Sequence, residues 1–268
     1  MTRIQQSGSP WASGTDAQYV DERTVEWYRV NGFVRINSVL SAAEVDTYRE
    51  AAIELMERTA SYRKDAVLDQ RVNVWRQPTL LRELTLNPRI AAIAERLAGV
   101  PLRLWHDQML VKPAGESAAT EFHQDQPYWP HRAPSPLTAW IALVDVPFER
   151  GCMSFLPGTH FLTEVPRHEL EREHGLFDLV PELRWLPRVT VPIRAGDCTF
   201  HHGRTAHYAG PNRTGEMRIA HAIIYMDAST QFNGSSHVVT NPLHLTPGQT
   251  LEGELFPLAA ELSVQPLR

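Results

Sequence analysis

Apolar residues recur at helical spacing twice in the first hundred positions and at strand spacing through much of the remaining chain. Val45, Tyr48, Ala52, Leu55 and Met56 fall three or four apart, which gathers them on one helix face. "SAAE" (Ser41 to Glu44) stands just before them as a capping box, with Ser41 as N-cap and Glu44 positioned to reach back. In a second helix Asn87 offers the cap and Pro88 takes the first helical position. Ile90, Ile93 and Leu97 line one face, and Gly99 ends it. Both helices read as buttresses.

From Leu102 the pattern changes. "LRLWHDQMLVKP", "PLTAWIALVDVP", "VTVPIRAGDCTFHHG" and "RIAHAIIYMD" are short, β-rich and bounded by Pro, Gly or Asp. No regular helical pattern separates them, which argues against a parallel βαβ sheet and for an antiparallel double-sheet barrel or jelly roll. Residues 160–187, charged and punctuated by Pro, read as a long insertion with a short helix around 167–174. The last forty residues, rich in Pro, Gly and Thr, are expected to wrap the barrel or cover its mouth. Residues 1–18 read as a loose polar tail. One domain is therefore expected over 19–268: a helical buttress (19–100), a jelly-roll core (101–228) carrying the insertion, and a C-terminal wrap or lid (229–268).

Composition narrows the function classes. The net charge of −5 and the lack of a basic run argue against nucleic acid as a partner. Two cysteines, Cys152 and Cys198, make no disulfide framework, and the polar N-terminus lacks the apolar stretch of a signal peptide. No apolar run is long enough to span a bilayer. The expectation is a cytoplasmic protein with a small-molecule partner, no membrane contact, and an oligomeric state on which the sequence is silent.

Candidate chemistry centres on "FHQDQPYWP" (122–130). In an extended strand positions i and i+2 share a face, so His123 and Asp125 converge. With twelve His in the chain, an H-x-D of this kind arises by chance roughly once in two such sequences. A hydrogen-bonded strand-end histidine is the plain alternative. "FHHGRTAHYAGPNRTGEMR" adds His201, His202 and His207. Two His and a carboxylate make the facial triad of non-haem iron(II) enzymes, which leaves coordination positions open. Spacing alone does not choose strongly among the three histidines. Arg218, eleven positions after His207, could hold a carboxylate through its fixed fork, or simply pair with one of the chain's acids.

Taken together, "FHQDQPYWP", "PLTAWIAL", "ERGCMSFLPGTH", "GDCTFHHGRTAHYAGPNRT" and Arg218 resemble the phytanoyl-CoA dioxygenase family of iron(II)- and 2-oxoglutarate-dependent oxygenases. The "VNGFVRI" and "AERLAGVP" stretches resemble it more loosely. The resemblance implies a mainly β fold with flanking helices, a double-stranded β-helix or cupin-like jelly-roll barrel. It implies Fe(II) on His123, Asp125 and His207, which selects His207 over His201 and His202. Arg218 is implied as the anchor of the distal carboxylate of the cosubstrate, 2-oxoglutarate, and Trp140 as a neighbour. Gln124 and Gln108 are further candidate polar contacts.

The implied reaction consumes O2 and 2-oxoglutarate, releases succinate and CO2, and abstracts hydrogen from a C–H bond. Hydroxylation is the default expectation, with cyclisation, desaturation or epimerisation as alternatives. A metal-dependent hydrolase or isomerase and a non-catalytic binding protein are lesser readings. Halogenation is opposed, because Asp125 fills the iron position chloride would need. No basic cluster is present to grip the phosphates of coenzyme A, which favours a small or medium-sized metabolite. Asn73, Trp75, Arg76, Phe122, Tyr128 and Trp129 are the candidate substrate contacts.

Overall fold

The computed structural model describes residues 12–13 and 20–262, apart from 66, 116 and 163. Save for 12–13, the tail read over 1–18 lies outside the described residues.

In chain order the elements are β1 (Ala12–Ser13), α1 (Glu22–Asn31), β2 (Phe33–Asn37), α2 (Ala42–Arg58), β3 (Arg63–Lys64), β4 (Asp69–Val72), α3 (Leu80–Thr85), α4 (Pro88–Ala98), β5 (Leu102–Lys112), β6 (Thr120–His123), β7 (Leu137–Ala142), β8 (Met153–Phe155), α5 (Gly175–Leu179), β9 (Val189–Val191), β10 (Cys198–His202), β11 (His207–Ala209) and β12 (Arg218–Asp227). They make two sheets. The larger runs β1-β2-β10-β7-β12-β5-β4-β3 and the smaller β6-β11-β8-β9. Every pairing is antiparallel except β1 with β2. The result is the mainly β jelly roll with flanking helices read from the sequence.

Both expected helices form. The capping box of α2 is complete, with Ser41 Oγ accepting from the Glu44 N–H and Glu44 from the Ser41 N–H. Asn87 caps α4 and Gly99 ends it at φ 72°, a left-handed conformation that favours glycine. Ile90, Ile93 and Leu97 are fully buried beside the core strands.

The first hundred residues are more than a helical buttress. β2 pairs with β10, and β4 pairs with β5, so they extend the larger sheet at both edges. β4, "DQRV", carries no apolar alternation because its inward positions are a buried ion pair, Asp69 with Arg71. The expected helix around 167–174 forms later, over 175–179. "RHELEREH" carries one apolar residue, Leu170, and so offers no face to bury. Leu176 and Phe177 do, and pack with Phe122, Leu156, Val165 and Leu183 in a second apolar cluster. No helix among the described residues is long and apolar enough to cross a membrane.

Candidate active site

β6 and β11 are neighbours in the smaller sheet, and His207 pairs directly with His123. Asp125 follows β6 by two residues, where the chain leaves the strand into the turn Gln126–Tyr128. Both His Nε2 atoms approach one carboxylate oxygen, Asp125 Oδ1, at 3.5 and 3.6 Å. The three candidate ligand atoms lie within 4.8 Å of one another. Such separations are long for hydrogen bonds and suit donors grouped about a cation.

Each imidazole is oriented from behind. His123 Nδ1 lies 2.7 Å from Glu121 O and His207 Nδ1 lies 3.0 Å from Thr205 O. A carbonyl only accepts, so both Nδ1 atoms carry the proton and both Nε2 lone pairs face the centre. Asp125 is steered through its other oxygen: Thr138 Oγ1 donates to Oδ2 at 3.1 Å and His201 Nε2 lies 3.3 Å from it. Burial, then His123, push His207 down to about 3. Burial alone would raise Asp125, but the three surrounding imidazoles outweigh it and hold the carboxyl well below its usual range. An ionised Asp125 beside a neutral His207 is the protonation state a divalent metal takes up without displacing a proton from either.

A cavity of about 620 Å³ opens over this centre, within the range of small-molecule sites. Arg218 reaches it from the start of β12. The residue is buried, its guanidinium lies over the Trp140 ring at 5.3 Å, and its sole protein hydrogen bond among the described residues is a long one to Gly151 O. Its Nε has no partner, and no carboxylate pairs with it among the described residues. Burial lowers it to about 10, still charged at neutral pH. A buried, unpaired guanidinium is costly, and a ligand carboxylate would relieve that cost.

The cavity gathers most of the site residues read from the sequence: His123, Asp125, His207, Arg218, Trp140, Gln108, Tyr128 and Trp129 all line it. Gln124 does not. Its side chain points the other way from its neighbours, accepting from Val165 N and donating to Arg204 O. Phe122 alternates away too, stacking on Tyr208 and packing at a tilt against Phe177. Asn73 and Trp75 also miss the cavity. Asn73 takes a left-handed conformation (φ 57°) that ends the strand, and Trp75 tucks beneath the sheet, its backbone N–H donating to Asp107. Arg76 lies over the Trp75 ring. Their stretch still contributes, through Tyr62, Leu68, Gln70 and Val72.

His201 and His202 separate by strand alternation: His201 backs Asp125, while His202 bonds Pro134 O. Sequence reasoning missed Thr138 and His106. Thr138 had a signal, since it stands two before Trp140 in "TAW" and so shares its face.

The phytanoyl-CoA dioxygenase family model matches residues 28–220. The chain belongs to the phytanoyl-CoA dioxygenase family. It is 27% identical to the peroxisomal phytanoyl-CoA dioxygenase of Mus musculus over 223 residues, 73% of this chain and 65% of that one. The match thus spans just under two thirds of that relative. Two solved structures are more similar. The 2-oxoglutarate-dependent carbocyclase SnoK from nogalamycin biosynthesis shares 40% identity at TM-score 0.82, covering 94% of this chain and 99% of that one. The epimerase SnoN, solved with Fe3+, 2-oxoglutarate and nogalamycin RO, shares 39% at TM-score 0.78, covering 89% and 98%. The family places this chain among iron(II)- and 2-oxoglutarate-dependent dioxygenases.

Proposed function

We propose that the chain oxidises an unactivated C–H bond of a small or medium-sized metabolite, with Fe(II) held by His123, Asp125 and His207 and 2-oxoglutarate anchored by Arg218. The observation that carries the reading is Arg218: a buried cation lacking a carboxylate partner among the described residues, in the cavity that holds the two-His, one-carboxylate cluster. The donor set suits iron(II), with positions left for other ligands. When bound, iron and 2-oxoglutarate supply the oxidant from O2, with release of succinate and CO2. The chain's own residues do the rest. Thr138 and His201 hold Asp125 in place, Trp140 lies against the Arg218 guanidinium, and the aromatic walls exclude water.

Cavity charge bears on substrate class. Among the described lining residues the only arginines or lysines are Arg167 and Arg218. Arg167 already donates to Pro127 O and Tyr128 O. With Arg218 assigned to 2-oxoglutarate, a single arginine, held by two backbone carbonyls, remains for the phosphates of coenzyme A, which supports a metabolite without them. The buried, unpaired Cys152 and Cys198 suit a reducing, cytoplasmic setting.

Hydroxylation is the outcome that needs no further device. The similarity to a carbocyclase and an epimerase favours a second reading, in which the product is a new ring or an inverted stereocentre. The test is Arg218→Ala. Affinity for 2-oxoglutarate should fall by about 2–5 kcal/mol, the scale for removing one partner of a buried charge pair, while iron binding persists. Unchanged 2-oxoglutarate affinity in that variant would place the cosubstrate elsewhere.

A further inference from the structure

β5 contains a bulge. Leu104 pairs with Tyr225 and His106 with Ile224, so Trp105 is an extra residue on that strand. A bulge re-aims side chains. Here it brings two successive residues, Trp105 and His106, against the same third ring, His237 (centroids at 5.4 and 5.7 Å). Regular alternation would have sent one of them to the far side of the sheet.

His106 is fully buried, lines the cavity, and has no partner on Nε2. Its Nδ1 lies 3.2 Å from Asp107 O, so Nδ1 carries the proton and Nε2 offers a lone pair. His237, also lining the cavity, is set the opposite way. Its Nδ1 accepts from the Val239 N–H, which leaves the proton on Nε2. Side by side the two rings present one acceptor and one donor, the pair a hydroxyl group satisfies. Behind them Trp105 packs against both rings and stacks on Phe256, and Trp129 lines the same cavity.

Register fixes where this corner lies. His106, Ile224, Thr138 and His201 form one row across the larger sheet. Thr138 and His201 contact Asp125. His106 is two strands from Thr138, roughly 10 Å away. Arg218 pairs with Lys112, six residues along β5 from His106, roughly 20 Å at strand rise. The corner is therefore near the candidate metal centre but at the opposite end of the sheet from the 2-oxoglutarate anchor.

We propose that His106, with His237, is the specificity-determining pair for the primary substrate: it receives a hydroxyl borne on an aromatic or other flat ring, and sets which carbon faces the metal. This deepens the reading above and rests on it. Tyr128 and Trp129 of the cavity lining bind such a ring through area, and the buried acceptor penalises any analogue that leaves it unpaired.

The probes are 2-naphthol and its methyl ether, 2-methoxynaphthalene, whose oxygen cannot donate. Dissociation constants are measured by anaerobic equilibrium dialysis on enzyme loaded with Fe(II) and 2-oxoglutarate. Native enzyme should bind the naphthol about tenfold more tightly than the ether, one hydrogen bond to a buried acceptor. His106→Phe should erase that preference by weakening the naphthol alone, and His106→Gln, which retains an acceptor, should restore part of it. Equal affinity of native enzyme for the two probes overturns the proposal without recourse to any variant, as does an unchanged preference in His106→Phe. Affinity for 2-oxoglutarate, measured on the same samples, reports separately on the dioxygenase reading. If it is lost in the native enzyme that reading fails, whereas a lost naphthol preference with 2-oxoglutarate still bound defeats only the subsite.

Discussion

The chain spells nearly the same three residues twice, with opposite consequences. His106-Asp107-Gln108 lies within β5, and His123-Gln124-Asp125 runs off the end of β6. In the first, alternation sends His106 and Gln108 into the cavity and Asp107 through the sheet to the helices. There Asp107 is fully buried and knits the layers together. Thr85 of α3 donates to it, His221 of β12 lies 3.3 Å away, and the Trp75 N–H closes the third side. In the second, His123 and Asp125 share the cavity and Gln124 goes outward. Moving the acid by one position turns a cross-brace into part of a candidate ligand set. Residue type does not decide between structure and chemistry here; the strand face does, together with whether the acid's partners come from the protein alone.

Exchanging each acid for Ala should separate the two roles. Asp107→Ala leaves His221, Thr85 and an N–H without their shared acceptor in a dry site, and should cost about 3–5 kcal/mol. Urea denaturation of metal-free protein checks it. Any Asp107→Ala protein that folds should keep native iron affinity. Asp125→Ala should do the reverse. Stability should change by less than about 1 kcal/mol, since this side chain faces the cavity and is partly exposed. Iron affinity and succinate formation should drop by more than the roughly 10–100-fold typical of a supporting residue. Equal stability losses in both variants would erase the distinction.

Much of this is legible in the sequence, for physical reasons. Capping boxes, Pro at a first turn and Gly at a helix end are local signals, and they place α2 and α4 closely. The i, i+2 rule locates His123 and Asp125. The choice of His207 over His201 and His202 comes from family resemblance. In the structure β11 pairs with β6, which sets His207 opposite His123, while β10 lies in the other sheet. What the sequence hides depends on tertiary partners. β4 reads as polar because Arg71 and Asp69 neutralise each other inside. Trp75 reads as a cavity residue, and one left-handed residue, Asn73, sends it underneath. His106 depends on a bulge that is visible only in the pairing with β12.

A smaller effect should come from the residues that steer Asp125. Thr138→Val keeps shape and removes the hydroxyl donated to Oδ2. Iron affinity, read by competition with a chelator, should weaken by about 10–100-fold, while 2-oxoglutarate dependence and fold persist. The equivalent change beneath Asp107, Thr85→Val, should cost stability and leave iron affinity alone. An iron effect from Thr85→Val would couple the two faces of the sheet.

The smallest effects belong to the two glutamines, which reverse the faces of the two acids. Gln124 ties the 160–187 insertion to the barrel by accepting from Val165 N. Gln108 faces the cavity and accepts from Gln70 Nε2, leaving its own amide hydrogens to donate. The insertion and the segment after Asp227 both reach the cavity, through Arg167, Leu170, Ser236, His237, Val238 and Asn241, as the walls of a lid would. Gln124→Leu should therefore cost about 1–2 kcal/mol, the scale for unpaired buried groups, and should speed hydrogen exchange in 160–187 with KM for 2-oxoglutarate unchanged. Gln108→Leu should leave that exchange alone and change KM for 2-oxoglutarate or for the primary substrate. In native protein, adding substrate together with 2-oxoglutarate should slow exchange in both covering segments. Equal exchange with and without ligands would show that these segments are fixed walls, and Gln124 would then be a brace with no part in closure.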